Sequence, residues 1–274
     1  MLAFVLSVPA NEADLASDAL WALGVAAIEE RSPEAPTQDH FVELWTSLGT
    51  DVGAITSAAE GFPARWRWRT VDIDATVADS WRAHAVPSWI DRDLVVVPAW
   101  LDPDLDPDVV RIDIDPGAAF GLGDHPSTVL TLRMMRRAMW PGATVLDVGC
   151  GSGVLSVAAA RFGAPYVEAI DLSIAAVEAT VANAARNGVA GVISASTRPL
   201  AEVTDRFDVV VANLLAPVVI DLADDLGRVV GPSGALVVSG LLDGADDHVR
   251  AALAPMQIVD TASREGWIAL LARH

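Results

Sequence analysis

The octet LDVGCGSG at residues 146–153 constrains the fold more than any other stretch of this chain. An apolar run, Ala143–Val148, leads into it, and Val154–Phe162 follows with helical periodicity. Strand, glycine turn and helix in that order open a parallel α/β unit whose turn lies close against a nucleotide-like ligand. Gly149, Gly151 and Gly153 lack a Cβ, so each accepts positive φ and lets a ligand approach the main chain. A dinucleotide dehydrogenase places its third glycine one residue later. Here that position is Val154, which argues against nicotinamide chemistry.

The periodicity around the octet extends the same architecture. From Pro126 onward, helices are predicted near 126–139, 153–162, 173–186, 215–227 and 243–253. Strands are predicted near 144–148, 166–170, 191–195, 207–212, 234–239, 256–260 and 266–272. The alternation predicts a parallel, doubly wound sheet ending in a hairpin.

Residues 1–72 read differently. Leu2–Val8, Val25–Glu29, His40–Trp45 and Arg65–Ile73 read as strands. A helix runs from an Asn11 cap, with Asp14 as its capping-box partner, through Leu23 to Gly24, and a second spans Asp51–Glu60. The order β-α-β-β-α-β is a ferredoxin-like split unit. On its last strand Arg65, Arg67 and Arg69 alternate with Trp66 and Trp68, giving either a solvated arginine face or a protein-docking face. Residues 73–92 read as a linker helix broken near Pro87, with strands at Asp93–Val97 and Val109–Ile114. The domains are therefore expected at 1–72 and 93–274.

Composition narrows the function. The formal charge is −19, and all 18 basic residues are arginine. Such a surface repels phosphate backbones, so no direct nucleic-acid binding is expected; it suits a basic protein partner, or serves solubility alone. No apolar run approaches the ~20 residues of a membrane span. The single cysteine, Cys150, and the absence of a basic leader fit a cytoplasmic protein. The five histidines are scattered, and no metal-ligand cluster is visible.

Candidate site residues fall at strand ends, where open α/β sheets bind ligands. Asp171 follows the second strand, 22 residues after Gly149, where a carboxylate accepts ribose hydroxyls or caps a helix. Asn213 follows the apolar strand Phe207–Ala212; its amide orients an incoming nucleophile or caps a turn. The loop 116–128 (PGAAFGLGDHPST) carries glycines of the kind found in ligand covers. Thr128 lies in the helical turn that follows, where free N–H groups hold a carboxylate. His125 reads either as a base or as a hydrogen-bonded loop histidine, and Asp124 as a negative charge beside a cation.

These motifs resemble one family. The G-x-G-x-G turn is similar to the first motif of the class I S-adenosylmethionine methyltransferases. PGAAFGLGDHPST, LDVGCGSG, AIDLS and VVANLLA together resemble the PrmA family, which methylates large-subunit ribosomal protein eleven. DSWRAHAVPSWIDRDLVVVPAW (79–100) and EGWIALLARH (265–274) extend the likeness over essentially the whole chain. The chain departs where the family commonly has threonine, at Leu122, Asp124 and Ser127, and isoleucine, at Leu214. The resemblance implies an α/β fold: a seven-stranded, Rossmann-like class I methyltransferase sheet behind a ferredoxin-like substrate-recognition domain. It implies methyl transfer from S-adenosylmethionine to lysine and α-amino nitrogens of a ribosomal protein. By position, Thr128, Gly149, Gly151, Gly153, Asp171 and Asn213 would contact the cofactor, and Asn213 would be the catalytic residue. Another protein target, or a non-catalytic S-adenosylmethionine-binding module, are the alternative readings.

Overall fold

The computed structural model describes residues 2–23, 25, 28–31, 41–46, 52–72, 85–116 and 122–274. The chain divides into two compact units, Met1–Ala85 and Val86–His274.

In the first unit, strands β1 (Leu2–Pro9), β2 (Ile28–Arg31), β3 (Phe41–Thr46) and β4 (Arg67–Asp72) form a sheet of order β2-β3-β1-β4. Every neighbouring pair is antiparallel. Helices α1 (Ala13–Ala22) and α2 (Val52–Ala59) pack on it. Alternation sends Phe4, Leu6 and Val8 to one face, where they bury Leu20, Leu44, Ile55 and Trp66. α1 starts later than an Asn11 cap predicts, because Ala10–Glu12 first forms a 3-10 turn; the side chains of Asn11 and Asp14 lie outside the described ones. The predicted strand from Arg65 begins at Arg67, since Arg65 and Trp66 are drawn to Glu12 by hydrogen bonds of 2.8 and 2.7 Å. Trp68 stacks on Phe4 with centroids 5.7 Å apart. Arg69 forks onto Glu43, and its guanidinium lies 5.6 Å from the ring centre of Trp45. The Arg69 hydrogen bonds hold the Glu43 carboxyl below the usual range.

The second unit opens on a three-stranded sheet, β5 (Ser88–Asp91), β6 (Leu94–Pro98) and β7 (Val110–Ile114). β5 corrects the sequence reading of a linker helix through residue 92. Pro87 disfavours helix before it, and Ile90 is fully buried in the core as a strand residue. Residues 73–84 of that linker lie outside the described ones.

The main sheet has the order β10-β9-β8-β11-β12-β14-β13. Its strands are β8 (Val145–Val148), β9 (Val167–Ile170), β10 (Ile193–Ser196), β11 (Phe207–Asn213), β12 (Val230–Leu242), β13 (Gln257–Arg264) and β14 (Trp267–Arg273). β8 through β12 pair in parallel, and β14 enters antiparallel between β12 and β13. The hairpin closes through Glu265 and Gly266, at φ 51° and 81°, the pairing a two-residue hairpin turn needs. On β11, Val209 and Val211 face one core while Val210 and Ala212 face the other. Helices α3 (Pro126–Ala138), α4 (Val154–Arg161) and α5 (Ile174–Arg186), with the β5–β7 sheet, sit on the first side. Helices α6 (Ala216–Asp221), α7 (Ala223–Val229) and α8 (Asp247–Ala252) cover the second. The single helix predicted over 215–227 is thus two, bent at Leu222 so that Val219, Ala223, Leu226 and Val229 reach one core. Strand order reverses between β8 and β11, which places a crevice at their carboxyl ends.

Two asparagines fasten β7 to α5. Asn187 exchanges hydrogen bonds with the backbone of Asp113 at 2.9 and 2.7 Å. Asn183 does the same with Asp115 at 3.0 and 2.8 Å, and its Nδ2 also reaches Ser152 O at 2.9 Å. Four helical residues rise ~6 Å and two strand residues ~6.6 Å, so the side-chain amides match alternate backbone groups of the strand edge. Asn183 is fully buried. Asn183→Ala should remove its hydrogen bonds to the Asp115 amide and carbonyl and to Ser152 O and cost about 2–4 kcal/mol in chemical denaturation. Asn187→Ala, partly exposed, should cost less.

Candidate functional site

The crevice is built first by its glycine turn. β8 is fully apolar except for Asp147 and is buried throughout. At its end the chain reverses through Gly149, Gly151 and Gly153, at φ 75°, 54° and 79°. The amides of Gly149 and Cys150 both donate to Ile170 O, at 2.8 and 3.1 Å, tying the turn to β9. A Cβ on Gly153 would lie 2.9 Å from the Cα of Thr180, and one on Gly149 would lie 2.4 Å from Leu214 Cδ2. These two glycines therefore serve packing of protein on protein, a role the sequence reading did not give them.

Asp171 leaves the end of β9 and braces this turn. Its Oδ2 accepts from the Gly151 amide at 3.0 Å and its Oδ1 from the Ser173 amide at 2.9 Å. The side chain is half-buried, and each carboxylate oxygen keeps a further lone pair. The N-cap of α5 is Ser173, whose Oγ accepts from Ala176 N.

Asn213 ends β11 across the switch point. Its Nδ2 donates to Thr128 Oγ1 at 3.2 Å, which leaves the amide oxygen as an acceptor and the threonine O–H as a donor. Thr128 is buried in the first turn of α3. That turn is capped by His125, whose Nδ1 accepts from Ser127 N at 3.3 Å. The imidazole meets the edge of Trp267 at 4.6 Å. Burial lowers the His125 pKa, against the opposing charges of Asp124 and Glu265. Its geometry is that of a helix cap. Residues 117–121 of the glycine-rich loop lie outside the described ones.

The structure thus gathers Gly149, Gly151, Gly153 and Asp171 on one side of the crevice and Thr128 and Asn213 on the other. Leu214 joins the two by lying against Gly149. Asp147 is a residue the sequence reading passed over. It is fully buried; Oδ2 accepts from Ser156 Oγ at 2.6 Å, while Oδ1 has no partner among the described residues. Burial pushes its carboxyl up to about 7, and the nearby Asp171 charge acts in the same direction. A lone carboxylate inside an apolar strand was the available sequence signal. Thr180, Ser156 and Asn183 carried none, since each is an ordinary helix residue until packed. Cys150 is a buried thiol pushed up to about 12 by desolvation, so it is unreactive. Among the described residues, no three His, Cys, Asp or Glu side chains are placed to hold a metal ion. No helix among them is long and apolar enough to cross a membrane.

A profile described as ribosomal protein L11 methyltransferase (PrmA) matches residues 36–274. The ribosomal protein L11 methyltransferase of Desulfosudis oleivorans is 35% identical over 281 residues, covering 96% of this chain and 93% of that protein. Its counterpart from Dechloromonas aromatica is 42% identical over 241 residues, covering 87% and 76%. The crystal structure of ribosomal protein L11 methylase from Lactobacillus delbrueckii subsp. bulgaricus aligns with a TM-score of 0.64 at 36% identity. It covers 69% of this chain and 99% of that one.

The buried carboxyl sets a pH dependence. Asp147 titrates near 3.8 when exposed and at about 7 when folded. Below the lower value it is protonated in both states and costs nothing; between the two values the unfolded carboxyl ionises while the folded one keeps its proton, so stability falls as pH rises and the loss is complete above the upper value. Asp147→Asn should therefore raise the melting temperature of the unliganded protein at pH 8 by several degrees, corresponding to roughly 2–4 kcal/mol. At pH 3 the two proteins should melt together; equal melting temperatures at pH 8 would refute the buried charge.

Proposed function

The chain belongs to the ribosomal protein L11 methyltransferase (PrmA) family, and from that premise we propose how its residues divide the work. It is an S-adenosylmethionine-dependent methyltransferase acting on ribosomal protein L11. The acceptors are lysine side-chain and α-amino nitrogens. The observation that carries the site assignment is the meeting of the Asp171-braced glycine turn with the Asn213–Thr128 pair at the reversal of strand order.

The residues fit the cofactor. Asp147 Oδ1 is a buried acceptor without a donor, Asp171 has lone pairs to spare for ribose hydroxyls, and the first turn of α4 has no side-chain cap. Gly149, Gly151 and Gly153 would line the nucleoside, and Thr128 with the α3 N-terminus would take the carboxylate. S-adenosylmethionine supplies a methyl group already activated on a sulfonium. What remains for the chain is to place a neutral amine in line with that bond.

Thr128 accepts from the Asn213 Nδ2, and the amide oxygen is left as the acceptor for the amine. That oxygen receives an amine N–H and turns the nitrogen lone pair toward the methyl. A lysine near ~10.4 in water loses its proton more easily once desolvated. A dedicated base is not required, and His125 is already engaged in capping α3. The arrangement corresponds to a class I methyltransferase sheet. The order β2-β3-β1-β4 of the first unit corresponds to a ferredoxin-like domain, to which we assign substrate recognition. The acidic surface, of net charge −19, suits a lysine-rich partner and not nucleic acid, and the setting is the cytoplasm.

Asn213→Ala should lower kcat by about 100-fold on purified L11, followed by mass spectrometry, while shifting the melting temperature little. Unchanged turnover would remove Asn213 from the chemistry. Raising salt to ~0.5 M should increase the KM for L11 several-fold and leave kcat alone, because screening then shortens to a few ångströms. A salt-insensitive KM would detach the acidic surface from recognition.

A further inference from the structure

We propose that Gly240 is a positioning residue for the amine slot, acting through Leu214 to hold Asn213; the inference rests on the role of Asn213 given above. β12 runs parallel to β11, with Ser239 opposite Asn213 and the Leu214 amide donating to Ser239 O at 3.0 Å. On its other side β12 pairs Ser239 with Ala269 and Leu241 with Ile268, so Gly240 is left over as a bulge. Its φ is 86°. The bulge brings the β12 backbone directly against the Leu214 peptide.

A Cβ at position 240 would lie 2.4 Å from Leu214 O, 2.8 Å from its carbonyl carbon and 3.1 Å from its nitrogen. All three are backbone atoms of one residue, so no side-chain rotation relieves the clash. Ordinary contact, near 3.5 Å, requires the peptide to retreat by about 1 Å. Leu214 is packed against the turn after β8 as well. Its Cδ2 already occupies the space where a Gly149 Cβ would stand, 2.4 Å from that point. The turn that carries Asn213 is thus held between two left-handed glycines, Gly149 in the turn after β8 and Gly240 on β12, the strands that flank β11. Displacing Leu214 displaces its covalent neighbour, whose 3.2 Å bond to Thr128 is long already.

Gly244 provides the matched comparison. It lies four residues on, its φ is 80°, and a Cβ there would meet nothing within 4 Å among the described residues. Gly244→Ala therefore pays the left-handed backbone cost without touching Leu214.

The test is steady-state methyl transfer to purified L11 by wild type, Gly240→Ala, Gly244→Ala, Asn213→Ala and the Asn213→Ala/Gly240→Ala double variant. Gly240→Ala should lower kcat by about 10- to 100-fold, the scale of a 1 Å misplacement. Gly244→Ala should stay within about twofold, and the double variant should be no more than about twofold slower than Asn213→Ala alone, since coupled residues are non-additive. If Gly240→Ala turns over normally while Asn213→Ala is slow, the inference fails and the amine slot stands. If Asn213→Ala is normal, the slot itself is wrong. Fully multiplicative losses in the double variant would show that Gly240 acts elsewhere, and equal losses in Gly244→Ala would reduce the effect to backbone strain. Should Gly240→Ala be insoluble, Gly240→Asn carries the same Cβ on a residue that tolerates positive φ. If neither folds while Gly244→Ala does, glycine is required by the fold and the positioning role is overturned.

Discussion

Backbone packed against backbone at the reversal point of the main sheet is the constraint on which the catalytic unit depends. The turn after β8 and the turn after β11 meet through the Leu214 side chain, which lies against Gly149. That contact exists because positions 149 and 240 carry no Cβ and accept φ of 75° and 86°. A Cβ at 240 would press on the Leu214 peptide itself, and one at 149 would displace the Leu214 side chain. Asp171 and Thr128 then complete the two walls by hydrogen bonding to the turns rather than to each other.

This arrangement burdens the fold with polar groups it would not otherwise bury. Asp147 sits in an all-buried strand with one oxygen unpartnered, a cost in the range of a few kcal/mol for the unliganded protein. Two apolar cores, one on each face of the sheet, offset it. The location of that carboxylate, directly before the glycine turn, matches the tendency of destabilising groups to gather where a ligand will satisfy them. Asn183 on α5 and Asn187 at its C-cap do a related job at the root of the glycine-rich loop. They cap the open edge of β7 and tie that strand to Ser152 in the glycine turn.

Much of the catalytic unit was legible because its elements follow simple periods. The helix beginning at Pro126, the apolar β8 and β11 and the helix beginning at Ile174 all carry strong local signals, and they form within a residue or two of their predicted ends. Errors fall where a partner decides. β5 forms because β6 is beside it, and β13 extends to Arg264 because β14 pairs along its whole length. The bend at Leu222 follows the shape of the core beneath it, which no local pattern encodes. In the first unit, Glu12 draws Arg65 and Trp66 out of the strand their alternation predicted.

The amino-acid sequence alone determined the α/β character, the glycine turn, and the types of residue waiting at the strand ends, because these depend on neighbours along the chain. Tertiary structure alone decided which of those residues meet. Gly149 and Gly240 both reach Leu214 only once β8, β11 and β12 are side by side. Asp147 acquires its raised proton affinity only when two cores exclude water from it. Contacts between segments separated by tens of residues are set by sheet order and register, and those follow from burying both faces of the sheet at once, a condition that no single segment contains.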